Sequence, residues 1–428
     1  MIVAVTFVLL TASILFFPTV KICGRKIGLY WVIALLGAII LVIFSLAPIS
    51  KVWQNLTANT AINPLKILAL FFSMTFISVF LDETGLFRFL AEKAASGAKT
   101  SQISLFFILY LLTAILTVFT SNDIVILTLT PFICFFCKNA EIDPVPYLVG
   151  EFAAANTWSM MLIIGNPTNI YLGTFAGITF TEYFKVMALP TVLSGIAELA
   201  VILLLFYKKL KKPLSPYRGN AKIESKANLI IGLIHIFICI IFLVISEYIG
   251  VEMWLVSVIC AASLLLSSSA AELFAKNKHK YLLTSVSRLP FQLIPFFISM
   301  AVIVVCLNHQ GISKKLGEFL GDSATLWTYG GASFIIANLI NNIPMSILFS
   351  ALPVGLSQAA YYRAVYASIV GSNIGAFLTP IGALAGIMFT ELTDRYNVKY
   401  GFTEFIKYGA IVSLPTLAVA ILSLSFVI

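Results

Sequence analysis

TVFTSNDIVILTLTP (residues 117–131) places three polar residues, Ser121, Asn122 and Asp123, inside a long apolar run. An acid at membrane depth costs on the order of 2.5–3.5 kcal/mol by insertion scales. A segment this polar at its centre makes a poor single crossing. We therefore read 102–137 as a re-entrant helical hairpin, two half-helices that enter and leave on one side. The segment 325–356 is broken in the same way at Asn341-Asn342 and takes the same reading. Non-helical backbone at that depth is tolerated only where it is buried in protein or lines a cavity.

The rest of the chain supports a membrane setting. Of 428 residues, 60% are hydrophobic and 11% charged, and mean hydropathy is +1.02. Soluble domains are about half apolar and about a quarter charged. Apolar runs long enough to cross a bilayer as helices fall near 2–17, 28–47, 64–84, 144–168, 184–206, 228–249, 251–269, 289–307, 358–378 and 402–426. The expected fold is therefore an all-α polytopic membrane protein with about ten transmembrane helices plus two re-entrant hairpins. MIVAVTFVLLTASILFFPTV (1–20) lacks a basic n-region and a small-residue cleavage site, and reads as a first spanning helix.

Charge sets the orientation. With the N-terminus outside and each hairpin returning to its own side, only Lys51, Lys66, Lys185, Lys314, Lys315 and Arg363 face outward. The rest of the 27 basic residues fall in cytoplasmic loops. This is the positive-inside pattern. It also explains the formal charge of +9 without nucleic acid. The expected location is the cell's inner (plasma) membrane, multi-pass, with both termini outside and the basic linker in the cytoplasm.

The chain divides into 1–206, a linker at 207–227, and 228–428. The two halves resemble each other. FFSMTFISVFLDETGLFRFL (71–90) parallels FFISMAVIVVCLNHQGISKKL (296–316), with Ser73, Met74, Leu81, Gly85 and Leu90 on Ser299, Met300, Leu307, Gly311 and Leu316 at one constant offset. FTEYFK (180–185) parallels FTEFIK (402–407). Counting crossings turns the repeats upside down to each other. Inverted repeats with broken helices at matching positions point to the binding site of a secondary transporter.

Four polar breaks mark that site: Ser121-Asn122-Asp123, GNPTN (165–169), Asn341-Asn342 and GSNIGAFLTPIG (371–382). Each precedes a fresh apolar run and is expected to start a half-helix. Asn and Ser are good N-caps, and Pro167, Pro344 and Pro380 suit a first helical turn. Helix starts carry unpaired N–H groups and partial positive charge. Converging starts would cradle an anion or a small polyhydroxylated neutral solute. The expected substrate-binding residues are Ser121, Asn122, Asp123, Asn166, Thr168, Asn169, Asn341, Asn342, Ser372, Asn373 and Thr379. Asp123, at a helix start, is expected to carry the coupling ion, H⁺ or Na⁺, with Glu151 as a second proton carrier. No metal ligand and no cofactor are expected.

Other polar residues read as structural. Asn156 and Ser159 are taken as helix-packing groups, Glu182 and Glu404 as caps, and Asp82 and Glu83 as the end of a span. Glu198, mid-span, has no evident role. Cys134 and Cys137 share a helix face and behave as small apolar residues. A P-loop pump would need GxxxxGK[ST], which is absent, and no nucleophile–base constellation marks an enzyme. A channel fits a paired, broken-helix site less well than alternating access does.

At these motifs the chain resembles the ion transporter superfamily and, within it, the arsenite/antimonite efflux permease (ArsB-type) family. SNDIVILTLTP (121–131), NNIP (341–344) and GSNIGAFLTPIGALAGIM (371–388) carry the resemblance, which covers nearly the whole chain. It implies that Asn122 and Asp123 face substrate, with Asn342, Asn373 and Thr379 opposite. It implies export of uncharged arsenite or antimonite hydroxides in exchange for protons, in some members beside an ATPase subunit. Two features depart. Ala383 stands where that family often has Ser, and IGNPTNIYLG (164–173) is similar to the Gly-x-Pro-x-Asn of carboxylate transporters. Those relatives usually carry Ser-Asn-Thr at both hairpin tips, unlike Ser-Asn-Asp and Asn-Asn-Ile here. A Na⁺- or H⁺-coupled transporter of a small organic or inorganic anion and a cation/proton antiporter are the alternatives. The expected partners are the solute and the lipid bilayer, and a homodimer is an open expectation.

Overall fold

The computed structural model describes residues 2–16, 19–22, 25–46, 48–59, 63–98, 100–214, 222–274, 280–353 and 355–428. Residues 215–221 of the expected linker lie outside that set. The described chain is helical apart from one antiparallel strand pair, Thr19–Ile22 with Arg25–Gly28, which joins the first two helices. The fold is otherwise all-α, as expected. The strands are only four residues each, too short for a period-two pattern to stand out in sequence.

Six helices among the described residues are individually long and apolar enough to span a bilayer: Pro64–Glu83, Gln102–Phe119, Phe180–Leu210, Lys226–Ile245, Met253–Leu273 and Phe402–Leu424. A seventh is reached if Leu293–His309 and Ile312–Leu320, bent by 81° to each other, count together. The protein is thus a multi-spanning membrane protein. Fewer uninterrupted spans appear than the ten expected because the helices in other apolar runs are short, as in Ile2–Phe16 and Leu29–Ile43, or divided. The run 144–168 becomes Val145–Trp158, two 3₁₀ turns and Pro167–Phe175. The run 358–378 keeps one helix, Gln358–Gly375, and the chain breaks after it, before a 3₁₀ turn at Pro380–Gly382 and the helix Leu384–Arg395.

Element order repeats between the halves. Pro64–Glu83, Leu86–Gly97, Gln102–Phe119, Asn122–Asn139, Val145–Trp158, Pro167–Phe175 and Phe180–Leu210 are followed, after two intervening spans, by a matching series. That series is Leu293–His309, Ile312–Leu320, Thr325–Ile340, Asn342–Ser350, Gln358–Gly375, Leu384–Arg395 and Phe402–Leu424. The paired glycines show the same device twice. Gly85 (φ 81°) and Gly311 (φ 69°) both sit in the left-handed region between a span and a short amphipathic helix. A side chain is strained there, so glycine ends the span and redirects the chain.

Small residues bring the central helices together. Gln358–Gly375 packs along Thr325–Ile340, and a Cβ on Gly371 would stand 2.1 Å from the Gly330 carbonyl oxygen and from Ser333 Oγ. Backbone cannot yield as a side-chain tip can. Gly371→Ala should therefore destabilise the protein by about 1–3 kcal/mol, the range for overpacking. Gly97→Ala, with open space around it, is the control. Melting of both variants in detergent checks this, and equal melting temperatures would contradict the close approach.

Candidate functional site

The break after Phe119 sets the polar triplet where two helices meet, with Ser121 and Asn122 buried. Asn122 and Asp123 occupy the first turn of Asn122–Asn139, as expected, but Ser121 makes no side-chain cap. Ser121 and Asp123 instead line a cavity of 490 Å³ that runs past Thr75, Tyr30 and Met388 to Arg288 and Glu391. Asp123 is half-buried on that wall and pairs with no other described residue. At the far end, Arg288 pairs with Asp82 at 2.7 Å and also with Glu83. These two acids are structural, as read from the sequence.

Asn122 turns away from the cavity. Its Nδ2 donates to Asn156 Oδ1 at 3.1 Å, while its Oδ1 is buried without a partner. Asn156 begins a polar thread into the core. The Asn156 carbonyl accepts from Ser159 Oγ at 2.6 Å, and Ser159 Oγ lies 2.9 Å from Asn373 Oδ1. Asn373 joins the halves. Its Oδ1 accepts from Asn166 Nδ2 at 2.9 Å, and its Nδ2 donates to Asn169 Oδ1 at 2.7 Å and to the Ile369 carbonyl at 2.8 Å. Asn169 Nδ2 donates to the Ser159 carbonyl at 2.8 Å. Asn166 caps Pro167–Phe175 by accepting from the Thr168 N–H at 3.1 Å, and the Thr168 hydroxyl lies equally close. All of these groups are buried.

A second cluster lies within the second half. Asn341, at φ 75°, caps Asn342–Ser350 by accepting from the Ile343 N–H at 3.2 Å. Its Nδ2 donates to the Ile381 carbonyl at 2.9 Å. Thr379 donates its N–H and hydroxyl to Asn338 Oδ1 at 3.0 and 2.7 Å. Asn338 Nδ2 in turn donates to the Gly375 carbonyl at 2.9 Å. The two 3₁₀ breaks are thus held open by amides that take over backbone groups the helices release.

One expected half-helix start is placed differently. Ser372 and Asn373 do not begin a half-helix: Gln358–Gly375 continues through them and the break follows Gly375. Asn373 stays helical because its side chain satisfies the carbonyl four residues back. Ser372 Oγ is buried without a hydrogen-bond partner. Glu151 lies apart from the cavity lining, with both oxygens 3.0 Å from Thr130 Oγ1. Asn342 is buried at a helix start as expected. Asn156 and Ser159, read as packing groups, are part of the network. Asn338 was missed, because a single Asn among apolar residues gives no pattern. Glu182 forms the expected capping box with Thr179. Among the described residues no cluster of three His, Cys, Asp or Glu is arranged to hold a metal.

Comparison with known proteins places the chain among membrane transporters. A family model described as "Citrate transporter" matches residues 27–371. An arsenical pump membrane protein of Escherichia coli is 27% identical over 424 residues, covering 94% of each chain. One from Yersinia enterocolitica is 27% identical with the same coverage. An uncharacterised transporter of Mycobacterium tuberculosis is 24% identical, covering 83% of this chain and 84% of its own. Among solved structures, the YdaH transporter of Alcanivorax borkumensis superposes with a TM-score of 0.60 at 15% identity, covering 99% of this chain and 96% of that one.

Proposed function

The chain belongs to the citrate transporter family, and from that premise we propose that it is an H⁺- or Na⁺-coupled carrier of a small anion, working by alternating access. That it is a secondary, ion-coupled membrane transporter and not an enzyme follows from its family. The observation that carries the finer reading is the pairing of a lone carboxylate with a neutral amide cradle. Asp123 stands on the cavity wall, and its neighbour Asn122 leads through Asn156 and Ser159 to Asn166, Asn169 and Asn373, which meet across the two halves. Amides and helix starts bind a negative or polyhydroxylated solute without a fixed cation. A carboxylate that must be neutralised at membrane depth supplies the ion dependence.

Both broken segments act as re-entrant hairpins in this reading. Gln102, at the start of the first, lies 3.2 Å from Tyr147 of the following helix through Tyr147 Oη and Gln102 Oε1. Gln102 also donates to the Pro213 carbonyl, and Asp143, just after the segment, pairs with Lys209. In the second, the Leu352 carbonyl closes on Gly317, just before the segment begins. The remaining crossings are made by broken or shorter helices, completing about ten spans in inverted repeats with the linker in the cytoplasm. The cavity then opens inward through Arg288 and Glu391, which that topology places on the cytoplasmic side.

A second reading, proton-coupled efflux of arsenite or antimonite, rests on the arsenical pump relatives that match nearly end to end. Uptake into everted vesicles separates the two. We expect citrate or another small anion to accumulate with a pH or Na⁺ gradient and to be displaced by competing anions. Accumulation of arsenite driven by the pH gradient alone, without anion competition, would select the second reading. Solute flux that never runs uphill would remove both in favour of a channel.

A further inference from the structure

Glu198 lies in the middle of Phe180–Leu210 and is fully buried. Its carboxyl sits in a closed set of contacts. Oε1 is 2.9 Å from Tyr110 Oη, and Oε2 meets Thr157 Oγ1. Tyr110 Oη is also 2.8 Å from the Gly195 carbonyl oxygen and 3.2 Å from Trp158 Nε1. Tyr110 and Thr157 are buried as well.

Counting the hydrogens available to this set argues for one protonation state. A tyrosine hydroxyl has one hydrogen to give and two lone pairs to receive. The indole N–H can only donate and the carbonyl can only accept. The tyrosine hydrogen therefore belongs between Tyr110 Oη and Gly195, and the indole hydrogen between Trp158 and Tyr110. The remaining contact, Glu198 Oε1 to Tyr110 Oη, is then two oxygens with no hydrogen between them unless Glu198 supplies it. With a proton on Oε1, every contact is satisfied: Glu198 donates to Tyr110, and Thr157 donates to Oε2.

We propose that Glu198 is a second proton-binding carboxyl of this transporter, neutral in the present conformation and read out by Tyr110. On ionisation the Oε1–H bond breaks and the proton leaves to solvent. Tyr110 then turns its O–H from Gly195 to the carboxylate. Tyr110 is the titratable group in contact with Glu198 among the described residues. The acid on the neighbouring helix, Glu151, faces Thr130. Lys209, farther along Glu198's own helix, is engaged with Asp143. Lys407 and Glu404, on the adjoining Phe402–Leu424, lie in its first two turns, and Tyr408 beside them meets Phe206, not Glu198. A bare carboxylate at this depth has no countercharge and is strongly disfavoured. The negative form therefore belongs to a conformation in which Phe180–Leu210 has shifted and water reaches the site.

The position ties this proton to transport. Thr157 follows Asn156, whose side chain holds Asn122 next to Asp123, and Trp158 packs against Gly195, where a Cβ would lie 2.7 Å from the indole ring. Movement of Phe180–Leu210 is thereby transmitted to the helix that bears the amide network. This inference rests on the proton-coupled version of the proposed function, but its primary test does not use a substrate.

Infrared difference spectra of the purified full-length protein, recorded with hydrogen–deuterium exchange, report protonated carboxyls directly. We expect a buried carboxylic-acid carbonyl band that disappears in Glu198→Gln and shifts in Tyr110→Phe, where the acceptor of the acid proton is gone. A glutamine keeps a donor toward Tyr110, so Glu198→Gln should fold. The band unchanged in both variants would overturn the proposal, and the Tyr110→Phe shift decides it if Glu198→Gln is poorly expressed. In vesicles, Glu198→Gln should still bind solute, but its uptake rate should lose one limb of the parent's pH profile. An unchanged profile would reduce Glu198 to a structural residue. Failure of the parent to take up any solute against a gradient would sink the proposed function and leave the infrared result standing.

Discussion

Asp123→Asn should abolish gradient-driven uptake while leaving the protein folded. Asp123 lines the 490 Å³ cavity and pairs with no other described residue. Removing its charge therefore strands no buried cation, and the amide is isosteric. The loss should fall on coupling: about a hundredfold or more in the initial rate of uphill uptake, the lower end of what a positioned proton-transfer group contributes. Downhill exchange should persist. The measurement compares uphill uptake and solute counterflow in the same vesicles. Loss of both with intact melting would assign Asp123 to solute binding, and loss of neither would remove it from the mechanism.

Asn373→Ala carries the other large effect, and this one falls on stability as well as function. The amide is fully buried and engages Ser159 Oγ, Asn166 Nδ2, Asn169 Oδ1 and the Ile369 carbonyl. Truncation leaves several of these without partners at once. An unsatisfied buried group costs about 1–3 kcal/mol, so a total loss of about 3 kcal/mol or more is expected, together with loss of transport. Restoring one contact with Asn373→Ser should recover part of the stability. Thermal melting in detergent checks both variants. A melting temperature within a degree of the parent's for Asn373→Ala would mean that the halves are not joined through this side chain.

Much of this arrangement is visible before folding is considered. Ser121-Asn122-Asp123 stands out because a polar triplet in an apolar run violates the membrane rule that produces the surrounding helices. Gly85 and Gly311 stand out because they recur at matching places, and both prove to be left-handed turns. Gly-Asn-Pro-Thr-Asn signals a helix start through its proline and its capping amide, and Asn166 does cap there. The reading went astray where the signal was equally local but the outcome was not. Asn373 lies in a stretch rich in Gly and Ser, yet remains helical because its side chain bonds back to Ile369 and across to Asn169.

The sequence by itself determined the membrane setting and the polar breaks. These follow from hydropathy, charge placement and turn chemistry, which act over a few residues. Only the tertiary structure decided which polar side chains meet. Asn166 and Asn373 are neighbours although 207 residues apart in sequence. Asn338 takes Thr379 as its partner, and Glu198 is closed in by Tyr110 and Thr157 from two other helices. Hydrogen bonds between distant segments depend on how helices pack and rotate about their axes. An isolated Asn or Glu in an apolar run carries no record of the partner that packing will bring to it.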